Sequence, residues 1–89
     1  MQPRVLIGRL YVTEAAAAAV PASEIDAAVW KHICGDWGDV DEDHARENEE
    51  SLSDYGGPLA SHYRTEHGWL ILWTERDRSQ TIVVFAPFD

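Results

Sequence analysis

Apolar positions change their period along the chain, and the changes mark the elements. Residues 5–12 are dense in Val, Leu, Ile and Tyr, which predicts a strand with Gly8 inside it. Thr13 then offers a helix cap, followed by Glu14 in the first turn and a run of alanines; Pro21 closes this short helix. Ser23 and Asp26 make a variant capping box for a second helix. Within it Ile25, Ala28, Val29, His32 and Ile33 recur at the spacing of one buried helical stripe, and Gly35 stops it.

Residues 35–39, Gly-Asp-Trp-Gly-Asp, read as a turn-rich loop. Asp41 stands where it can cap a third helix over about residues 42–52, whose apolar side is narrow: Ala45 and Leu52, with Val40 just ahead. Tyr55, two glycines and Pro58 end it. Strands are then predicted at 59–64, 69–75 and 81–86, separated by polar turns, with Pro87 behind the last. The middle one is apolar on both faces, which predicts a central position. The pattern as a whole predicts one α+β domain over residues 1–89. Two to three helices pack on one face of a small antiparallel sheet of three to four strands.

Charge changes this picture more than composition does. The chain of 89 residues carries a net −9, and 45% of it is hydrophobic, enough for one modest core. Residues 36–54 hold nine acids and one arginine, a net of −8, against −1 for everything else. On the predicted helix Asp43, Glu47, Glu50 and Asp54 fall in one row, with Glu42 and Glu49 on neighbouring faces and Asp36 and Asp39 in the loop before it. Two readings follow. The row mimics the charge spacing of a nucleic-acid backbone and fits the basic groove of a DNA- or RNA-binding protein, or it is a solvated face that keeps a small domain soluble. Either way the field repels nucleic acid and anionic membranes and attracts basic partners. Trp37, amid these acids, is either an anchor for a partner or a lid on the core.

Other chemistry is sparse. His32 and Cys34 are two apart on a helix and point to different sides; neither a CxxC nor an HExxH pattern exists, and neither a metal nor a cofactor is expected. Asp39, Asp41 and Asp43 loosely follow a calcium loop, but its glycine position holds His44. Cys34 with His32 or His62 offers a nucleophile, although a lone cysteine at a helix end is more often a small core residue. Glu75, Arg76, Asp77 and Arg78 form a second polar cluster at a predicted turn, open to an acidic group or closed on itself. A single cysteine and the absence of a long apolar run predict a soluble protein of the cytoplasm, without a signal peptide.

Several stretches together resemble a known family. They are His32-x-x-Gly35-Asp36-Trp37-Gly38-Asp39, Asp43, Asn48, Ser61-x-Tyr63 and Trp73-Thr74-Glu75-x-Asp77-Arg78-Ser79-x-Thr81. This pattern is similar to short bacterial frames labelled plasmid-related proteins, found on plasmids, integrative elements and phages. The resemblance spans residues 33–85; the tail, Phe85 to Asp89, departs from it. It implies a mobile-element context and no reaction. By analogy of context and charge, small acidic proteins of such elements neutralise host defence, anti-CRISPR proteins among them.

The expectation is therefore a non-enzymatic interaction protein. It presents Asp36, Trp37, Asp39, Glu42, Asp43, Glu47, Glu50 and Asp54 to a basic, nucleic-acid-binding partner. The first alternative is an accessory domain acting through the Trp37 loop and the turn at residues 76–79. The second is a small enzyme in which His32, Asp36 and Asp43 face one pocket.

Overall fold

The computed structural model describes residues 2–88, apart from the side chains of Asp54 and Tyr55. Strand β1 (Arg9–Val12) leads into helices α1 (Glu14–Ala19) and α2 (Ala22–Ile33), then α3 (Glu42–Glu50) and a π-helical turn (Ser51–Tyr55). Strands β2 (Leu59–Arg64), β3 (Trp69–Thr74) and β4 (Gln80–Ala86) complete the chain. The sheet runs β1-β4-β3-β2, so the architecture is α+β with a four-stranded sheet. β2, β3 and β4 form the antiparallel meander that the alternation predicts, with β3 inside it. β1 joins β4 in parallel, Leu10 beside Thr81 and Val12 beside Val83, so the sheet is mixed. Pairing between strands so far apart in the chain leaves no local signal.

Two boundaries differ from expectation. The predicted strand at 5–12 is regular only from Arg9; before it the Arg4 and Val5 amides both donate to the Ile33 carbonyl, at 2.7 and 3.0 Å. Gly8, at φ 61°, crosses so near β4 that a Cβ would lie 2.3 Å from the Ser79 oxygen. Helix α2 begins at Ala22 behind Pro21 and has no side-chain cap, so the Ser23–Asp26 box does not form. The chain leaves α1 through an extended Val20 and turns directly into α2, which starts two residues too early for Ser23 to cap it.

The core follows from the faces. α1 and α2 lay Ala16, Val20, Ile25, Ala28 and Val29 over Tyr63, Leu70, Leu72 and Val83. A smaller cluster joins Val5, Trp37 and Leu59 with Ala45 and Leu52 beside them, where α3 straddles the β2 edge. Helices α1 and α2 thus cover one face, as expected, while α3 caps an edge. The opposite face carries Trp69, Ile71, Ile82 and Val84, each partly exposed, and Tyr11 and Trp73, exposed at 46% and 43%.

Candidate functional site

The 35–39 loop is built by the end of α2. Gly35 (φ 78°) takes the left-handed cap: its amide donates to His32 O and the Asp36 amide to Lys31 O, a Schellman ending. The chain then meets β2. Asp39 N donates to His62 O at 2.7 Å and His62 N to Trp37 O at 3.1 Å. Gly38 (φ 75°) passes so close that a Cβ would sit 2.2 Å from His62 O. The Asp36 carboxylate accepts from the Gly38 amide and that of Asp39 from the Arg64 amide.

These contacts correct the assignment of Trp37 as a partner-binding residue. Its ring is 6% exposed, sits edge-on to His32, and its Nε1–H donates to Glu49 Oε2 at 2.9 Å. The indole is a lid whose polar atom is satisfied from within. Glu49 is in turn held by Arg4 at 2.6 Å, and this bond, more than the Trp37 bond, holds its carboxyl below the usual range.

Asp41 caps α3 through the His44 amide at 2.8 Å. On the inner side Asn48, 3% exposed, serves as a strand: Nδ2 donates to Ala60 O at 2.8 Å and Oδ1 accepts from Ala60 N at 3.2 Å. His44 Nε2 donates to the same carbonyl. Asn48 and the 36–39 loop together close the outer edge of β2. On the outer side of α3, Glu42, Glu47 and Glu50 are exposed and have no ion-pair partner among the described residues, whereas Asp43 pairs with Arg46. The helix gives way to a π turn after Glu50, and the side chain of Asp54, the last acid of the expected row, lies outside the described residues.

Glu47 lines a cleft of about 280 Å³ between α3 and the sheet, with Trp73 and Pro58 opposite. Trp73 is the exposed aromatic that sequence reasoning missed. It sits on the helix-free face of β3, beside the buried Leu72 and Thr74, in a strand whose apolar residues on both faces left no alternation to mark it.

The second polar cluster is largely engaged. Arg78 takes a left-handed backbone (φ 62°), and its guanidinium donates to Gly57 O at 2.6 Å and Ser51 O at 3.2 Å. It pins the end of the acidic segment to the β3–β4 turn and is not displayed to a partner. Asp77 accepts from the Ser79 amide, while Arg76 and Asp77 are exposed and Glu75 is partly so.

His32 stands apart from Asp36 and Asp43, which correct the proposed His–Asp–Asp pocket by lying on the surface. Its Nδ1 is 2.5 Å from Ser61 Oγ and its Nε2 2.7 Å from Thr74 Oγ1, which is 2.7 Å from Thr81 Oγ1. Thr81 donates to the Ile7 carbonyl at 2.8 Å. Each hydroxyl has one proton, so the direction follows. Thr74 donates to Thr81, His32 Nε2–H donates to Thr74, and Nδ1 accepts from Ser61. Burial, then the charge of Arg78, lowers the imidazole pKa to about 4, which keeps this neutral tautomer. The Ser61–His32 contact has the outward form of a nucleophile and base, but both side chains are 0% exposed and a substrate cannot reach them. Cys34 is buried and free.

Glu24, Glu66 and His67 bring ligand atoms within 4.8 Å of one another at the surface. Among the described residues no hydrogen bond orients these groups as a metal ligand requires. No described helix is long and apolar enough to cross a membrane. Comparison of the chain with family models, curated proteins and solved structures finds no match.

Proposed function

We propose that this protein is a non-enzymatic binder of basic proteins, using the outer side of α3 and the cleft beside it. One observation carries the reading: the unpaired carboxylate of Glu47 and the exposed indole of Trp73 line the same cleft, with exposed Glu50 one turn further along the helix. An arginine or lysine entering it meets an anion on one wall and an aromatic face on the other. Asp36, Asp39 and Asp41 extend the negative surface, although their carboxylates also accept backbone hydrogen bonds. The partner in this proposal is a nucleic-acid-binding protein of a bacterial host, with a CRISPR effector complex as the concrete case. The mobile-element context implied by the sequence resemblance belongs to the same proposal.

The accessory-domain alternative loses its main residues, since Trp37 and Arg78 are engaged internally. The test is affinity capture from bacterial lysate with the wild type, Glu47→Lys/Glu50→Lys and Trp73→Ala. The charge-reversed variant is expected to lose its partner without losing thermal stability, and Trp73→Ala to bind about tenfold more weakly. Added duplex DNA should displace the wild-type partner, and capture should fade between ~50 and ~500 mM salt. A partner retained by the double variant, or indifferent to DNA, defeats the proposal.

A further inference from the structure

The two edges of the sheet are treated differently. At β2 the outward backbone groups of Ala60 and His62 and the Arg64 amide are taken up by α3 and the 36–39 loop. At β1 nothing comparable exists among the described residues. Arg9 N donates to Ser79 O and Thr13 N to Val83 O, so Arg9, Tyr11 and Thr13 turn their backbones toward β4. By alternation the N–H and C=O of Leu10 and Val12 face outward. Their side chains are 42% and 39% exposed, with Tyr11 at 46%. Apart from its shortness, this edge has none of the usual guards: neither proline nor bulge, and neither lysine nor an inward charge.

We propose that β1 pairs antiparallel with β1 of a second copy of the chain, across a twofold axis at Tyr11. The four-stranded sheets then join edge to edge. The free groups dictate the register. Leu10 must stand opposite the second copy's Val12, each such pair exchanging both backbone hydrogen bonds, and Tyr11 faces its own equivalent in a close pair between them. Leu10 and Val12 lie on the helix side, as their sheet neighbours Thr81 and Val83 do. Val12 there borders an apolar hollow of about 210 Å³ against α1 and α2.

Charge complementarity argues for a second copy. In this register Arg9 is opposite the second copy's Thr13 and adjacent to its Glu14. Arg9 and Glu14 are both exposed, and neither has an ion-pair partner among the described residues. The twofold makes the pair reciprocal. The acidic α3 borders the far edge of the sheet, so two chains of net −9 approach where each is least negative.

An interface this short belongs to the weak class, so sedimentation equilibrium should span ~10 µM to ~1 mM. A species of about 20 kDa, twice the 10.0 kDa chain, is expected at the upper end. Leu10→Pro removes an outward amide that the chain itself does not use, and proline is tolerated at such an edge. It should weaken the dimer at least about tenfold with unchanged circular dichroism. If it fails to fold, the charge set decides: Arg9→Glu and Glu14→Arg each weaken association, and the double reversal restores it. A monomer throughout the range overturns the proposal. So does a dimer indifferent to Leu10→Pro in a folded variant, or to the charge reversals.

Discussion

Thr74 shows how closely the interior is specified at the level of single atoms. Its hydroxyl is both acceptor from His32 Nε2 and donor to Thr81, and all three residues are fully buried. Thr74→Val keeps the shape and strands both neighbours, so thermal and urea unfolding should report a loss of about 1–3 kcal/mol. An unchanged midpoint would mean that the hydrogen-bond chain is not as described. His32 was legible as a core position from its place in the apolar stripe of α2, but not its partners. Ser61, Thr74 and Thr81 lie on three strands, and nothing local says that they converge. Trp37 was ambiguous for a similar reason. Its loop carries the glycines and acids of an exposed turn, and only the approach of β2 shows that Gly38 is there to bring the indole inward.

At the scale of elements, the acidic helix has two sides with different work. Its outer side carries free carboxylates, while its inner side holds the sheet edge through Asn48. Asn48→Ala leaves the Ala60 amide without an acceptor, although His44 still serves the carbonyl. The expected loss is about 1–3 kcal/mol in urea unfolding. Light scattering should also rise with concentration, because an uncapped β2 edge recruits other strands. A variant as stable and monodisperse as the wild type would show that the loop alone seals β2. The meander could be read from alternation and turn residues, since antiparallel neighbours are neighbours in sequence. The edge-capping role of α3 could not, because an asparagine among eight charged or polar residues looks like any solvated position. The exposed Trp73 was concealed by a strand that is apolar on both faces.

The charge pattern belongs to the whole molecule, and so does its response to acid. The unfolded chain protonates His32 near 6.5, whereas the folded chain resists down to about 4. Protons therefore favour unfolding across that window. Stability should be fully present above pH 6.5 and fall by on the order of 3 kcal/mol by pH 4. His62, also lowered by burial and by His44, acts in the same direction. Below 4.5 the loss of the Glu49 carboxylate releases Arg4 and adds to the decline. Urea midpoints measured from pH 7.5 to 4 would check the slope, and a flat profile would contradict a neutral, sealed imidazole.

The same line of hydroxyls and imidazole has a consequence for how the chain comes together. It runs from Ile7, through a pair 74 residues apart in sequence, and on to β3, α2 and β2. Contacts so remote are entropically expensive to close and give little return until nearly every segment is in place. A nascent chain still missing its last strand has neither a partner for β1 nor an outlet for the Thr74 proton. Stable folding is thus expected only once β4 is present, with no stable fragment formed from the segments that precede it.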